Sequence, residues 1–221
     1  AETTDTGQTA VVTAVATERP HGGTAWQRFL STGPLAFLPL PDAPDGRHRC
    51  SVVWSLGRAR AEAVQALDDP AFVHELERAF EGHLGAITAV DRRVSFPLLQ
   101  VHARHYRAPG VVLVGDAAHV VHPLAGQGVN LGLRDVALLV RELDRTAPAP
   151  GGLLDVDRLA RYERARRGDN ALMLASLLGL KRLFGADALA VRWLRNAGLR
   201  FTDRSATIKR RLMARALGLP G

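Results

Sequence analysis

The chain has 221 residues, 47% of them hydrophobic, and a mean hydropathy of −0.02. That is enough apolar material for one large or two small cored domains, and it excludes a disordered or low-complexity chain. A single cysteine, Cys50, rules out an internal disulfide or a zinc site of thiolates and fits a reducing compartment. The formal charge of +7 is unevenly placed: residues 1–154 carry 14 basic against 16 acidic side chains, and residues 155–221 carry 15 against 6. A basic block of this kind suits an anionic partner, either nucleic acid or a membrane surface, or else a solvated helical face.

In chain order, residues 9–17 (TAVVTAVAT), 35–40 (LAFLPL) and 50–56 (CSVVWSL) are rich in β-branched and aromatic residues between Gly and Pro punctuation, which predicts a sheet. Pro41, Asp42, Pro44, Asp45 and Gly46 form a turn suited to joining two of those strands. The period then changes: Val64, Leu67, Phe72, Leu76, Ala79, Phe80 and His83 recur at helical spacing over 61–84, with Asp68 and Asp69 as caps before Pro70. A further strand is expected over 89–99, and a buried one over 111–114. A Gly-rich loop and an amphipathic helix over 128–145 follow, then a Pro/Gly linker and helices after residue 155. The longest nearly apolar stretch, 171–180, is about half the roughly 20 residues a spanning helix needs. With no basic and apolar leader before the first strand-like run, the expectation is a cytoplasmic protein, at most peripheral to the inner membrane.

The informative run is residues 111–135, VVLVGDAAHVVHPLAGQGVNLGLRD. An apolar strand ends at Gly115, Asp116 follows it, and a glycine-rich segment opens a helix. Ligands bind at such a place in α/β folds, where loops diverge from strand ends and helix amino termini converge. The carboxylate can accept hydrogen bonds from sugar or polyol hydroxyls, while free amides at the helix start favour negative charge. Gly126, Gly128 and Gly132 have the spacing G-x-G-x-x-x-G, one residue too long for a dinucleotide-phosphate turn, and the chain contains no other phosphate-cradling motif.

The runs Gly115-Asp116-Ala117-Ala118-His119 and Pro123-Leu124-Ala125-Gly126-Gln127-Gly128-Val129-Asn130 resemble the second flavin motif of the class A flavoprotein hydroxylases. The segments 26–29 (WQRF), 33–40 (GPLAFLPL), 51–56 (SVVWSL), 96–98 (FPL), 162–164 (YER), 196–199 (NAGL) and 216–219 (ALGL) resemble the ubiquinone-pathway branch, in its 2-polyprenylphenol hydroxylase form. The resemblance implies an α/β (α+β mixed) fold of p-hydroxybenzoate-hydroxylase type. Residues 1–108 would form the substrate-binding sheet, 109–147 the second half of an FAD-binding domain, and 153–221 a basic helical region. It implies FAD as cofactor, NAD(P)H as reductant, O2 and a polyprenylphenol as substrates, and other ubiquinone-biosynthesis proteins as partners. Gly115, Asp116, Pro123, Ala125, Gly126, Gln127, Gly128, Val129 and Asn130 would hold the flavin: Asp116 on the ribityl chain, the amides of Gly128 and Val129 toward N1 and the C2 carbonyl. The family's amino-terminal G-x-G-x-x-G half and its Asp-Gly middle motif are absent from these residues, so the expectation is a carboxyl-terminal portion.

Plainer readings stand beside these. His119 and His122, or His102 and His105, could suggest a metal cluster, but packed or turn histidines explain them better, and no metal site is expected. Phe37, Trp54, Phe96 and Pro123 would line the substrate pocket, together with Trp26, although strand aromatics are more often core. Arg134 and Asp135 are expected to pair across the helix surface or to be solvated. The basic amphipathic stretch 205–219, with Ile208, Leu212, Ala216 and Leu219 on one face and Lys209, Arg210, Arg211 and Arg215 beside it, is expected either on anionic lipid or docked on the body. A non-catalytic lipid-interaction or assembly module remains the alternative function, and nucleic acid is not an expected partner.

Overall fold

The computed structural model describes residues 1–121, 127–144, 156–185 and 188–217. The chain divides into a sheet unit, Asp5–Leu98, and a motif unit, Ala1–Thr4 with Leu99–Gly221.

In the sheet unit four antiparallel strands lie in the order β2 (Trp26–Leu30), β3 (Gly33–Pro39), β4 (His48–Gly57), β1 (Glu2–Thr17), and the short β5 (Ile87–Val90) pairs with the end of β1. The register sets Val11 and Leu35 against Trp54, Val52 against Phe37, and Val15 against Cys50. Because side chains alternate across a strand, these residues share one face. Helices α1 (Arg58–Gln65) and α2 (Asp69–Phe80) cover that face with Ala61, Val64, Phe72, Leu76 and Phe80, and the rings of Phe37 and Phe80 stack at 3.8 Å. Gly33 turns the β2–β3 hairpin at φ 131°, where a Cβ would lie 2.0 Å from the Ser55 carbonyl oxygen, so only glycine fits.

The helix expected over 61–84 is two helices. Asp68 takes an extended conformation, and its carboxylate accepts the Ala71 amide at 2.9 Å, starting a new helix with Pro70 in its first turn. The strand expected over 89–99 is likewise two, β5 and β6 (Val94–His102), separated by the charged Asp91-Arg92-Arg93. The turn expected between residues 41 and 49 does join β3 to β4, and Cys50 is a buried strand residue.

In the motif unit the last residues of β6 pair with β9 (His119–Val120), and β7 (Arg107–Ala108) pairs with β8 (Val111–Val112). A 3-10 turn, Gly115–Ala117, precedes β9; α3 (Gln127–Leu143), α4 (Val156–Gly185), α5 (Leu189–Arg204) and α6 (Ala206–Leu217) complete the unit. Tyr106, Ala118 and Tyr162 form its small core with Leu138 and Leu139. The buried strand expected over 111–114 is corrected here: β8 is two residues long, antiparallel, and leaves Val111 exposed, because among the described residues it pairs only with β7. No described helix is long and apolar enough to cross a membrane.

The packing makes a direct prediction for the sheet unit. Phe72 is fully buried between α2 and the sheet, so Phe72→Ala should cost about 3–5 kcal/mol, whereas loss of the cap in Asp68→Ala should cost about 1 kcal/mol. Urea unfolding followed by circular dichroism measures both; equal losses would contradict this account of the core.

Candidate functional site

The Gly-Asp turn is held by backbone geometry. Gly115 lies in the left-handed region at φ 57°, and the Ala118 amide closes the turn on the Gly115 carbonyl at 2.9 Å. Helix α3 crosses this turn glycine to glycine: a Cβ on Gly132 would sit 3.2 Å from the Gly115 Cα. Asp116 and Ala117 are exposed at the turn while Ala118 and His119 behind them are buried. The motif therefore presents a carboxylate to solvent on a backbone packed firmly from below.

Helix α3 begins at Gln127, so the amides of its first residues lack intrahelical acceptors and carry the positive end of the helix dipole. Gly128 is half-buried against Val121, Asn130 is exposed, and Val129 is 75% exposed. Of the expected flavin-binding residues, the structure thus gathers Gly115, Asp116, Gly128, Val129 and Asn130 in one unit. Pro123, Ala125 and Gly126 lie outside the described residues, as do His122 and the side chain of Gln127.

What orders this arrangement is a side chain expected at the surface. Asp135 is completely buried. Its Oδ2 accepts the Gly115 amide at 2.9 Å and faces His119 Nε2 at 2.6 Å, while Oδ1 accepts Arg166 Nε at 2.6 Å. Arg166 also donates to the side chain of Asn170 at 2.8 Å, and Asn170 donates to the Tyr106 hydroxyl, which meets His102 Nε2 at 2.9 Å. Burial works against ionising Asp135, but the hydrogen bonds from His119, Arg166 and the Gly115 amide outweigh it and hold the carboxyl below its ordinary pKa. Burial raises the pKa of the Tyr106 and Tyr162 hydroxyls, so both stay neutral; Tyr162 donates to the Leu113 carbonyl. His119 Nδ1 is buried with no hydrogen-bond partner among the described residues.

The surface pairing expected for Arg134 and Asp135 is therefore wrong for Asp135. A signal was present: Asp135 falls in line with Leu131 and Leu138 on the apolar face of α3, and Arg166 and Asn170 continue the buried line of Leu159 and Tyr162 on α4. A charge on an apolar stripe implies a partner on the facing element. The expected pocket aromatics divide. Phe37 and Trp54 belong to the sheet-unit core, Trp26 is half-buried with its ring 4.0 Å from that of His83, and Phe96 is 55% exposed on β6.

The sequence profile described as FAD binding domain matches residues 2–174. The chain belongs to this family. It is 42% identical over 215 residues to the ubiquinone hydroxylase UbiL of Rhodospirillum rubrum, covering 96% of this chain and 48% of that protein. It is 36% identical over 212 residues to the 3-demethoxyubiquinol 3-hydroxylase of Escherichia coli, covering 96% of this chain and 53% of that one. In fold it is similar to p-nitrophenol 4-monooxygenase PnpA from Pseudomonas putida, with a TM-score of 0.68, 18% identity, and coverage of 96% of this chain and 52% of the other. The chain spans about half the length of the curated relatives it matches. FAD is the cofactor of the FAD-binding domain family, and the residues present fit part of it. An exposed carboxylate can accept from polyol hydroxyls, helix-terminal amides can face an electron-rich ring edge, and a glycine pair admits the close backbone crossing.

Asp135→Ala should remove the buried acceptor from Arg166 and His119 and cost about 3–5 kcal/mol of stability. Because the folded-state pKa of Asp135 is depressed, its contribution is fully present above the unfolded value of about 3.9 and is lost as pH falls through the lower folded value. The stability difference between wild type and variant should accordingly shrink as pH falls from about 5 toward 3; guanidinium melts across that range measure it.

Proposed function

We propose that this chain is the flavin-ring and substrate half of an FAD-dependent hydroxylase acting on the aromatic ring of a polyprenylphenol in ubiquinone synthesis. The observation that carries the reading is the exposed Asp116 carboxylate on a turn that Asp135, Gly132 and α4 hold in place. In this reading Asp116 accepts a hydrogen bond from the ribityl chain. Gly115 shapes the turn, and the amides of Gly128 and Val129 at the start of α3 face the N1 and C2 carbonyl edge of the ring. Pro123, Ala125, Gly126, Gln127 and Asn130 line the same segment. When bound, the flavin supplies the redox chemistry, taking electrons from NAD(P)H and activating O2. The chain's own part is to bind, to orient, and to oppose helix-dipole charge to the negative charge that gathers at that edge. No side-chain nucleophile and no metal enters this assignment.

Helix α3 supports the view that a second half completes the site. Val129, Leu133, Val136 and Val140, spaced i, i+4, i+7 and i+11, form an exposed apolar stripe. A stripe of that period is the pattern of a helix face that packs against a neighbour. We read it as the surface that receives the part which the longer relatives possess beyond this chain, and which would bring the missing pyrophosphate-binding turn.

The substrate's lipid tail calls for access to a membrane surface, and α5 offers one. Leu189, Trp193 (71% exposed), Ala197, Arg200, Phe201 and Arg204 share its outward face, so aromatic rings stand beside guanidinium groups. The share of α6 in such a contact is partly outside the described side chains: Lys209 pairs with Asp203 at 2.7 Å and Arg210 is exposed, whereas Arg211, Leu212 and Arg215 are not described.

In the complete protein, Asp116→Ala should weaken FAD binding by about 1–3 kcal/mol with the melting temperature of the cofactor-free form unchanged. Flavin fluorescence titration checks it, and unaltered affinity would remove Asp116 from the site. If the complete wild-type protein itself retains no FAD, the reading as a non-catalytic assembly module takes its place. For the membrane contact, sedimentation with phosphatidylglycerol vesicles should weaken as salt rises. It should fall with Trp193→Glu, and drop by about 1 kcal/mol for each of Arg200→Gln and Arg204→Gln. Insensitivity to all three substitutions would move the contact elsewhere.

A further inference from the structure

Away from the Gly-Asp turn, the motif unit holds a cleft of about 530 Å³ lined by His102, His105, Glu163, Arg164, Arg167 and Gly168. Its charges are out of balance. The carboxylate of Glu163 is already engaged, accepting the Tyr106 amide at 2.8 Å and Arg107 Nε at 3.0 Å, with His105 Nδ1 3.6 Å away. Elsewhere on α4, Arg161 pairs with Glu142, and Arg166 pairs with Asp135 and Asp169. Arg164 and Arg167, one turn apart, have no carboxylate partner among the described residues. Burial first, and then the positive field of Arg167 and His119, hold the His102 imidazole below its ordinary pKa, against the opposing pull of Glu2. Gly168, next to Arg167 in the chain and lining the same cleft, is a helix-interior glycine at which a Cβ would meet nothing within 4 Å. Glycine inside a helix is less favourable than alanine, and no neighbouring atom requires it there.

We propose that this cleft binds a phosphate-bearing anion. Two guanidinium forks offer several N–H donors in the geometry that phosphate oxygens accept in pairs. His102 and His105 line the same cleft, and Gly168 puts no side chain into the space beside them. A dianion answers the surplus of cations better than a single negative charge would. The assignment does not depend on the flavin reading, since neither Arg164 nor Arg167 belongs to the Gly-Asp motif.

Calorimetric titration of the FAD-saturated complete protein with inorganic pyrophosphate at low salt tests it. Saturable binding with one site is expected, weakened at least tenfold in the Arg164→Gln/Arg167→Gln double variant, whose melting temperature should match wild type because both side chains are exposed. Phosphatidylglycerol vesicles distinguish the source of the phosphate. If the double variant also loses vesicle sedimentation relative to wild type, the ligand is a lipid headgroup; if only pyrophosphate binding falls, it is a soluble phosphate compound. Absence of pyrophosphate binding in the wild type, or binding that the double variant leaves unchanged, would overturn the proposal.

Discussion

The motif unit depends on one buried carboxylate. Asp135 has no exposed surface, and an ion in that position is costly unless its lone pairs are fully used. Here they are used by groups from three places: the Gly115 amide on the turn, His119 at the start of β9, and Arg166 on α4, with Asn170 beside it. Removing any one partner leaves charge or a donor stranded, so the turn, the strand and the two helices hold together as a set. The glycine-to-glycine crossing of Gly115 and Gly132 belongs to the same arrangement, because the Asp135 carboxylate reaches the turn only when α3 lies that close.

A site of the proposed kind, whose chemistry would belong to a bound cofactor, still needs this buried polarity. The groups expected to touch the ligand, the Asp116 carboxylate and the first amides of α3, are exposed and individually weakly held. Behind the turn, Asp135 and Gly132 hold it in position. Precision in a binding site usually comes from such supporting contacts, since an exposed side chain or helix end has no rigidity of its own.

The sheet unit follows another logic. One face, with Val11, Leu35, Phe37, Cys50, Val52 and Trp54, is large and apolar and is covered by α1 and α2. The alternate residues on the other face include Ala10, Val12, Ala14, Ala36, Ser51 and Val53, which are small. Two faces so different in bulk leave one side of the sheet to supply the core.

Local features were legible in the amino-acid sequence. The strands around Val11, Phe37 and Val52, the turn over 41–49, the Asp68 cap and the Gly115-Asp116 motif each announce themselves within a few residues, because alternation, capping and turn chemistry act between near neighbours. The break at Asp91-Arg92-Arg93 and the shortness of β8 were not, since a strand ends where its partners end, and partners are chosen by the whole chain. The same holds for Asp135. Its partners lie 16, 20, 31 and 35 residues away, so the sequence could show a charge on an apolar stripe but not which cation and which amide would meet it. The sequence by itself determined the family, the cofactor and the segment that presents Asp116. Only the tertiary structure decided how that segment is held and that, among the described residues, Arg164 and Arg167 of α4 meet no carboxylate, because both depend on side chains that meet after distant segments have packed.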